Sequence, residues 1–130
     1  MTCQWLDRRL LVLLHDESLA THGGSSGLRD AGLLDSALAR APNLLAYAET
    51  GQPDLADLAA AYAFGLAKNH PFVDGNKRVA FLAVGLFLGI NGHRLTASQA
   101  EATVAVFGLA AGDIDEPNFA AWLRDHTAPR

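Results

Sequence analysis

A run of twelve residues without any charge, Val79–Ile90, constrains the fold of this chain more than any other feature. The run is too short to cross a bilayer as a helix, which takes roughly 20 apolar residues. A helix that is apolar on all sides has to be surrounded by other elements of the protein. The run therefore predicts a buried helix at the centre of a bundle.

Six segments, including this run, carry the apolar periodicity and the start and stop signals of α-helices. The expected helices are Trp5–Leu19, Leu33–Ala41 with Pro42 just beyond its end, a helix from the Asp54 cap to Asn69, Gly75–Ile90, Ser98–Ala110 and Pro117–Asp125. Long alternations of β-branched residues, which would indicate strands, are missing. The sequence thus predicts an all-α fold, a compact bundle of about six helices around a central buried helix.

Composition limits the classes of function. Residues 1–130 are expected to form a single domain, because no linker, repeat or low-complexity tract divides them. The net charge is −4 and no stripe of Lys or Arg occurs, which argues against general binding to nucleic acids or anionic membranes. The single cysteine, Cys3, excludes an internal disulfide. Met1–Asp7 lacks the basic start of a signal peptide, so a soluble, cytoplasmic protein is expected.

Reactive residues are concentrated in one segment, His70–Arg78, between the third and fourth expected helices. His70 is its only side chain that gains and loses a proton near neutral pH. Asp74 offers a carboxylate of the kind that binds Mg²⁺ together with substrate phosphates. Gly75 and Asn76 begin the next helix, where unpaired N–H groups attract anions.

Two cations, Lys77 and Arg78, complete the set of groups that phosphoryl transfer requires: a base, a metal ligand, an anion site and positive charge. Each residue alone also has an ordinary structural explanation, as a turn, a helix end or a solvated charge. The chain has eight arginines but only two lysines, Lys68 and Lys77, and both lie beside this segment. That distribution favours a functional interpretation of Lys77.

The segment closely resembles the motif of the Fic/Doc family, which reads H-P-F-x-D/E-G-N-G-R in the Fic branch and ends in N-K-R in the Doc (death-on-curing) branch. The resemblance to the Doc branch covers nearly the whole chain. It includes Leu14–Asp16, Gly23–Gly24, Gly27–Leu34, Ser36–Leu38 and Asn91–Gly92. On these motifs the chain is identified as a member of the family, and the helical Fic fold is expected.

The resemblance implies a role for each residue of the motif. His70 matches the catalytic base, Phe72 a residue that anchors the loop in the core, and Asp74 the acid that binds the metal, Mg²⁺. The stretch Gly23–Gly32 resembles the family's flap, a segment that positions the target peptide by strand-like pairing.

The nucleotide site is implied in the same way. Gly75, Asn76 and Lys77 match the turn that binds the phosphates of ATP, and Arg78 matches the arginine that contacts them. Lys77 and Arg78 also belong to the expected catalytic set. Two positions depart from the Fic branch: Lys77 replaces a glycine of the turn, and Phe81 stands where Fic nucleotidyl transferases have a second arginine.

Both departures match the Doc branch, in which the nucleotide binds reversed. The resemblance then implies a kinase-type reaction, in which the terminal phosphate of ATP passes to a threonine of elongation factor Tu and translation is blocked. One alternative is Fic-type transfer of AMP. Another is a mainly non-catalytic module that binds an antitoxin and regulates its promoter.

The resemblance also implies a partner, the cognate antitoxin of a toxin–antitoxin pair, with a disordered segment that folds into the cleft. Self-inhibited Fic proteins carry a Ser/Thr-x-x-x-Glu-Gly/Asn pattern, and no glutamate of this chain is followed by Gly or Asn. The four glutamates are Glu17, Glu49, Glu101 and Glu116. Contact with DNA is expected only indirectly, through the antitoxin, and no contact with membranes is expected.

Four further polar residues allow simpler explanations. His15 and His22 are expected to lie at a helix cap or at the edge of the core rather than to act as ligands. Arg29 and Asp30 either contact the target or the antitoxin, or form an ion pair that stabilises the flap.

Overall fold

Six α-helices make up most of residues 2–130, the part of the chain that the computed structural model describes. They are α1 (Arg8–His22), α2 (Ala31–Ala46), α3 (Leu55–Asn69), α4 (Asn76–Ile90), α5 (Gln99–Ala111) and α6 (Glu116–Asp125). The all-α prediction is therefore confirmed. Two short strands, β1 (His93–Leu95) and β2 (Thr127–Pro129), pair antiparallel and were not predicted. None of the helices in residues 2–130 combines the length and the apolar character that a membrane crossing requires.

The centre of the bundle is α3 rather than α4. Ten of the fifteen residues of α3 are buried, against seven of fifteen in α4. Six of these ten buried residues of α3 are alanines: Ala56, Ala59, Ala60, Ala61, Ala63 and Ala67. These small side chains let α2, α4, α5 and α6 all pack against it. The uncharged run does form a helix, but Gly85 and Ile90 leave part of its surface exposed.

Side-chain caps fix where most helices begin. Asp7 accepts a hydrogen bond from the backbone of Leu10, so α1 begins at Arg8 and not at Trp5 as expected. Asp54 caps α3 as predicted, and the Asp57 carboxylate binds the Asp54 backbone N–H in return. Ser98 and Glu101 form the same box at the start of α5, and Asp115 caps α6. These caps pair backbone N–H groups that the first turn of each helix leaves without an intrahelical partner.

The second helix is longer at both ends than the sequence analysis predicted. It begins at Ala31 because Asp30 accepts a hydrogen bond from the Leu33 N–H, 2.9 Å away. It runs past Pro42 to Ala46, although proline removes one helical hydrogen bond. Leu45, beyond the proline, packs against the core, and this burial favours continuation of the helix.

The reactive segment lies where the C-terminus of α3 faces the N-terminus of α4. His70 follows α3 directly in a left-handed conformation with φ of 50°. Gly75 precedes α4 in the same region with φ of 76°. Helices α1 and α5 both pack against α4, and both contribute residues to the surroundings of this segment. The fold therefore presents the segment as a short loop between four helices.

We predict that Gly65→Ala destabilises the protein by about 1–3 kcal/mol, because α2 and α3 approach closely there. A Cβ at Gly65 would lie 2.9 Å from the Cα and 3.0 Å from the Cβ of Ala37. Gly85→Ala in α4 is the matched control, since its Cβ would meet nothing within 4 Å in the described chain outside its own helical turn. The free energy of unfolding of this control should rise by about 0.5–1 kcal/mol, because alanine has a higher helix propensity than glycine.

Urea unfolding of both variants at neutral pH measures the difference in the free energy of unfolding. A Gly65→Ala protein as stable as Gly85→Ala would contradict the close packing of α2 on α3.

Candidate active site

A cleft of about 370 Å³ opens between the reactive loop, the start of α4 and one face of α5. All six of the predicted site residues line it: His70, Asp74, Gly75, Asn76, Lys77 and Arg78. The other lining residues are His22, Val73, Phe81, Gln99, Thr103, Val106 and Phe107. The structure thus brings the predicted residues together in one cleft, while their individual roles remain predictions.

The position of His70 depends on a contact from the flap. Left-handed backbone is uncommon for a residue with a side chain, so it has to be held in place. Arg29 does this: its Nε donates to the His70 carbonyl at 2.7 Å, and its Nη2 donates to the Asn69 carbonyl at 2.8 Å. Arg29 therefore caps the C-terminus of α3 and does not pair with Asp30, which caps α2.

The side chain of Asn76 holds the loop together from inside. It is only 4% exposed. Its Oδ1 accepts from the Phe72 N–H and its Nδ2 donates to the Phe72 carbonyl, both at 2.9 Å. This leaves only its backbone N–H to contribute to the predicted anion site.

Asn76 also touches the predicted base. Its Nδ2 lies 3.3 Å from Nδ1 of His70. The bonds to Phe72 fix which end of the Asn76 amide faces His70, and that end is the NH₂ group, which can only donate. The contact favours the ring tautomer that carries its proton on Nε2. The separation is long for a hydrogen bond. This contact therefore constrains the tautomer of His70 only weakly.

Asp74 presents an exposed carboxylate at the mouth of the cleft. The backbone N–H groups of Ser25 and Gly75 donate to its two oxygens and hold the pKa of this carboxyl below its usual value. The group is therefore ionised at neutral pH. Each oxygen keeps a lone pair, so this donor fits a hard cation such as Mg²⁺ that takes few protein ligands.

Positive charge surrounds the N-terminus of α4, where no side chain of the described residues caps the helix. Such an end attracts anions through its N–H groups and its dipole. The Lys77 ammonium lies 4.8 Å from the centre of the Phe107 ring on α5. Nη1 of Arg78 lies 3.5 Å from Oγ of Ser18 on α1, at the limit of a hydrogen bond. Both cations thus border the cleft, one on each side.

The flap pairs with the reactive loop through backbone groups. Leu28 and Phe72 form an antiparallel bridge, and Val73 donates to the Gly27 carbonyl at 3.0 Å. Gly24 has a φ of 118°, which favours glycine, and a Cβ there would lie 2.8 Å from an oxygen of the Asp74 carboxylate. The flap is shorter than Gly23–Gly32, because the first turn of α2 already includes Gly32.

His15, which was expected at a helix cap or at the edge of the core, lies buried against the reactive loop. The residue is 2% exposed, and its Nε2 lies 2.7 Å from the Asp74 carbonyl. Its ring stacks on Phe72 with the ring centroids 3.9 Å apart. Phe72 is itself buried, as the resemblance implied. In the sequence, His15 is marked only by its place in the stretch Leu14–Asp16, which resembles the Doc branch.

Sequence comparison with known proteins identifies the family. The sequence profile of the Fic/DOC family matches residues 5–88, well over half of the chain. The chain therefore belongs to the Fic/DOC family.

Two curated relatives show which branch of the family the chain resembles. The chain is 51% identical to Toxin Doc of Mycolicibacterium smegmatis over 75 residues, which span 58% of this chain and 57% of that protein. It is 35% identical to Protein kinase doc of Escherichia phage P1 over 114 residues, 88% of each chain. Both relatives carry the name Doc, which confirms the resemblance to the Doc branch.

We predict that Asn76→Ala destabilises the protein by about 2 kcal/mol, because it leaves the backbone N–H and carbonyl of Phe72 buried without partners. Asn118→Ala is the matched control, since Asn118 is exposed on α6. It should change the stability by less than about 0.5 kcal/mol. Urea unfolding followed by circular dichroism measures both, and equal stabilities would refute the assigned role of Asn76.

Proposed function

We propose that this chain is a Doc-type toxin that acts as a protein phosphotransferase. It transfers the terminal phosphate of ATP to a threonine of elongation factor Tu and so blocks translation. Membership of the Fic/DOC family and similarity to Protein kinase doc support the class of reaction. The target is the one that the Doc motif implies.

The position of the Lys77 ammonium is the observation that carries the kinase-type reaction. Because it reaches Phe107 on α5, the side chain brings positive charge into the cleft beyond the turn. A glycine at this position would leave that space to the outer phosphates of a nucleotide. With the lysine side chain in that space, we expect the nucleotide to bind with its γ-phosphate beside His70.

The chemistry divides among the residues of the loop. His70 takes the proton of the threonine hydroxyl as its oxygen forms a bond to the γ-phosphorus. The bond from that phosphorus to the oxygen shared with the β-phosphate breaks, and ADP leaves. Arg78 and the N–H groups at the start of α4 stabilise the negative charge that spreads over the transferred group. Mg²⁺ held by Asp74 would neutralise charge on the phosphates.

Transfer of AMP is the alternative reaction at the same site. It would require the α-phosphate beside His70 and the two outer phosphates as the leaving group. Phe81 lines the cleft one turn beyond Lys77, and its ring carries no positive charge that could bind this leaving group. A mainly non-catalytic, antitoxin-binding module is the other alternative, and the complete set of His70, Asp74 and Arg78 favours the enzyme.

An antitoxin is the proposed restraint on this activity. Apolar side chains remain exposed beside the cleft, with Val73 at 54%, Phe107 at 51% and Val104 at 73%. A disordered segment of a partner that folds on binding could cover them. Any contact of this chain with DNA would then run through the antitoxin.

Replacing the base should remove transfer. We expect His70→Ala to lower the rate of phosphate incorporation by about two to four orders of magnitude, the usual cost of losing a general base. His93→Ala serves as the control, because His93 lies in β1 and does not line the cleft. Incorporation of phosphate into elongation factor Tu, followed by mass spectrometry, measures both. Near-normal transfer by His70→Ala would refute its assignment as the base.

Labelled ATP tests the direction in which the nucleotide binds. With the unaltered protein, label from the γ position should enter the target and label from the α position should not. Lys77→Gly should lower the γ transfer strongly. Lys68→Ala should leave transfer intact, because the ammonium of Lys68 binds the Ala110 carbonyl outside the cleft.

Two outcomes would overturn this assignment. Entry of the α label with the unaltered protein would replace the kinase-type reaction with AMP transfer. Equal γ transfer by the unaltered protein and Lys77→Gly would show that Lys77 does not set the reaction.

A further inference from the structure

His15 contacts the reactive loop from the side opposite the cleft. It lies on α1, 59 residues from Asp74 in sequence, and is not among the residues that line the cleft. The Asp74 carbonyl can only accept a hydrogen bond, so the ring nitrogen 2.7 Å away carries the proton and donates it. The contact is short and part-buried, and the ring that donates it is held in the core, which gives it a defined direction.

This hydrogen bond acts on a rigid unit. The Asp74 carbonyl and the Gly75 N–H belong to one planar peptide group. Fixing the direction of the carbonyl therefore fixes the direction of the N–H on its other side. That N–H donates to Oδ1 of Asp74 at 2.8 Å, so the orientation of the carboxylate follows as well.

The second contact of His15, its ring stacking on Phe72, sets the distance between α1 and the reactive loop. Its ring lies almost parallel to Phe72, with 12° between the planes. A Cβ placed on Gly75 would meet Nε2 of His15 at 3.8 Å, which shows how closely the turn approaches this side chain. His15 thus contacts Phe72 and the Asp74 carbonyl and lies beside Gly75, while Asp74 and Gly75 also border the cleft.

We propose that His15 is a positioning residue, whose Nε2–H orients the Asp74–Gly75 peptide and through it the carboxylate and the turn that receive Mg²⁺ and the phosphates. The proposal rests on the proposed function for the nature of these ligands. A histidine that only fills space in the core would act through its ring contact with Phe72. A positioning histidine acts through its N–H, and the two can be separated by substitution.

Three variants make the separation. His15→Gln keeps a donor close to the place of Nε2 but loses the ring. His15→Phe keeps a flat ring against Phe72 but has no donor. Leu11→Val is the control for lost packing, because Leu11 is fully buried one turn earlier on α1 and does not line the cleft.

Binding is measured by isothermal titration with Mg²⁺ and the non-hydrolysable analogue β,γ-imido-ATP. We expect His15→Phe to bind about tenfold more weakly than the unaltered protein, the lower end of the usual cost of losing a residue that orients a metal ligand. His15→Gln and Leu11→Val should bind within about threefold of the unaltered protein. Unaltered affinity in His15→Phe, or an equal loss in the Gln and Phe variants, would overturn the proposal.

Amide hydrogen exchange gives a second measurement that needs no ligand. His15→Phe should accelerate exchange of the Gly75 amide relative to the amides in the middle of α3, and His15→Gln should not. If the unaltered protein bound no Mg²⁺–nucleotide, the proposed function would fail, while exchange at Gly75 would still decide the role of His15. Unchanged exchange at Gly75 in His15→Phe would refute the positioning role.

Discussion

The geometry of the reactive loop depends on the buried side chain of Asn76, which binds both backbone groups of Phe72. The loop has to expose a histidine, a carboxylate and two cations, so it gains little stability from its own reactive side chains. Buried polar contacts are directional and costly to leave unpaired, which makes them suited to fix one conformation. Asn76 supplies these contacts from the first turn of α4, and the rest of the site is arranged around them.

Contacts from distant parts of the chain then set the details. Arg29 in the flap holds the left-handed turn at His70, and His15 on α1 binds the Asp74 carbonyl. Phe107 on α5 lies under the Lys77 ammonium. Each reactive residue is thus contacted by an element outside the motif. A nine-residue motif copied onto another helical hairpin would lack all of these supports.

The parts of this protein that the sequence could predict are those with local signals. Asp54 gave the start of α3, and the reactive residues meet in one cleft because they are neighbours in the chain. β1 and β2 have three residues each, too few for a recognisable periodicity. Leu45 lets α2 continue past its proline by packing on the core, a tertiary effect that no local pattern contains. His15 and Asp74 are far apart in the sequence, so their contact needs the folded chain.

The hydrogen bonds of Arg29 have a further consequence for how such a protein can diverge. The guanidinium of one flap residue terminates α3, and the neighbouring backbone pairs with the reactive loop at Pro71. The flap, whose role in positioning a target is implied only by the resemblance, is therefore also part of the framework that shapes the reactive loop. New target specificity cannot arise by free exchange of the flap as an independent module. It would have to come from exposed side chains of the flap such as Ser26 and Leu28, while the backbone and Arg29 are retained.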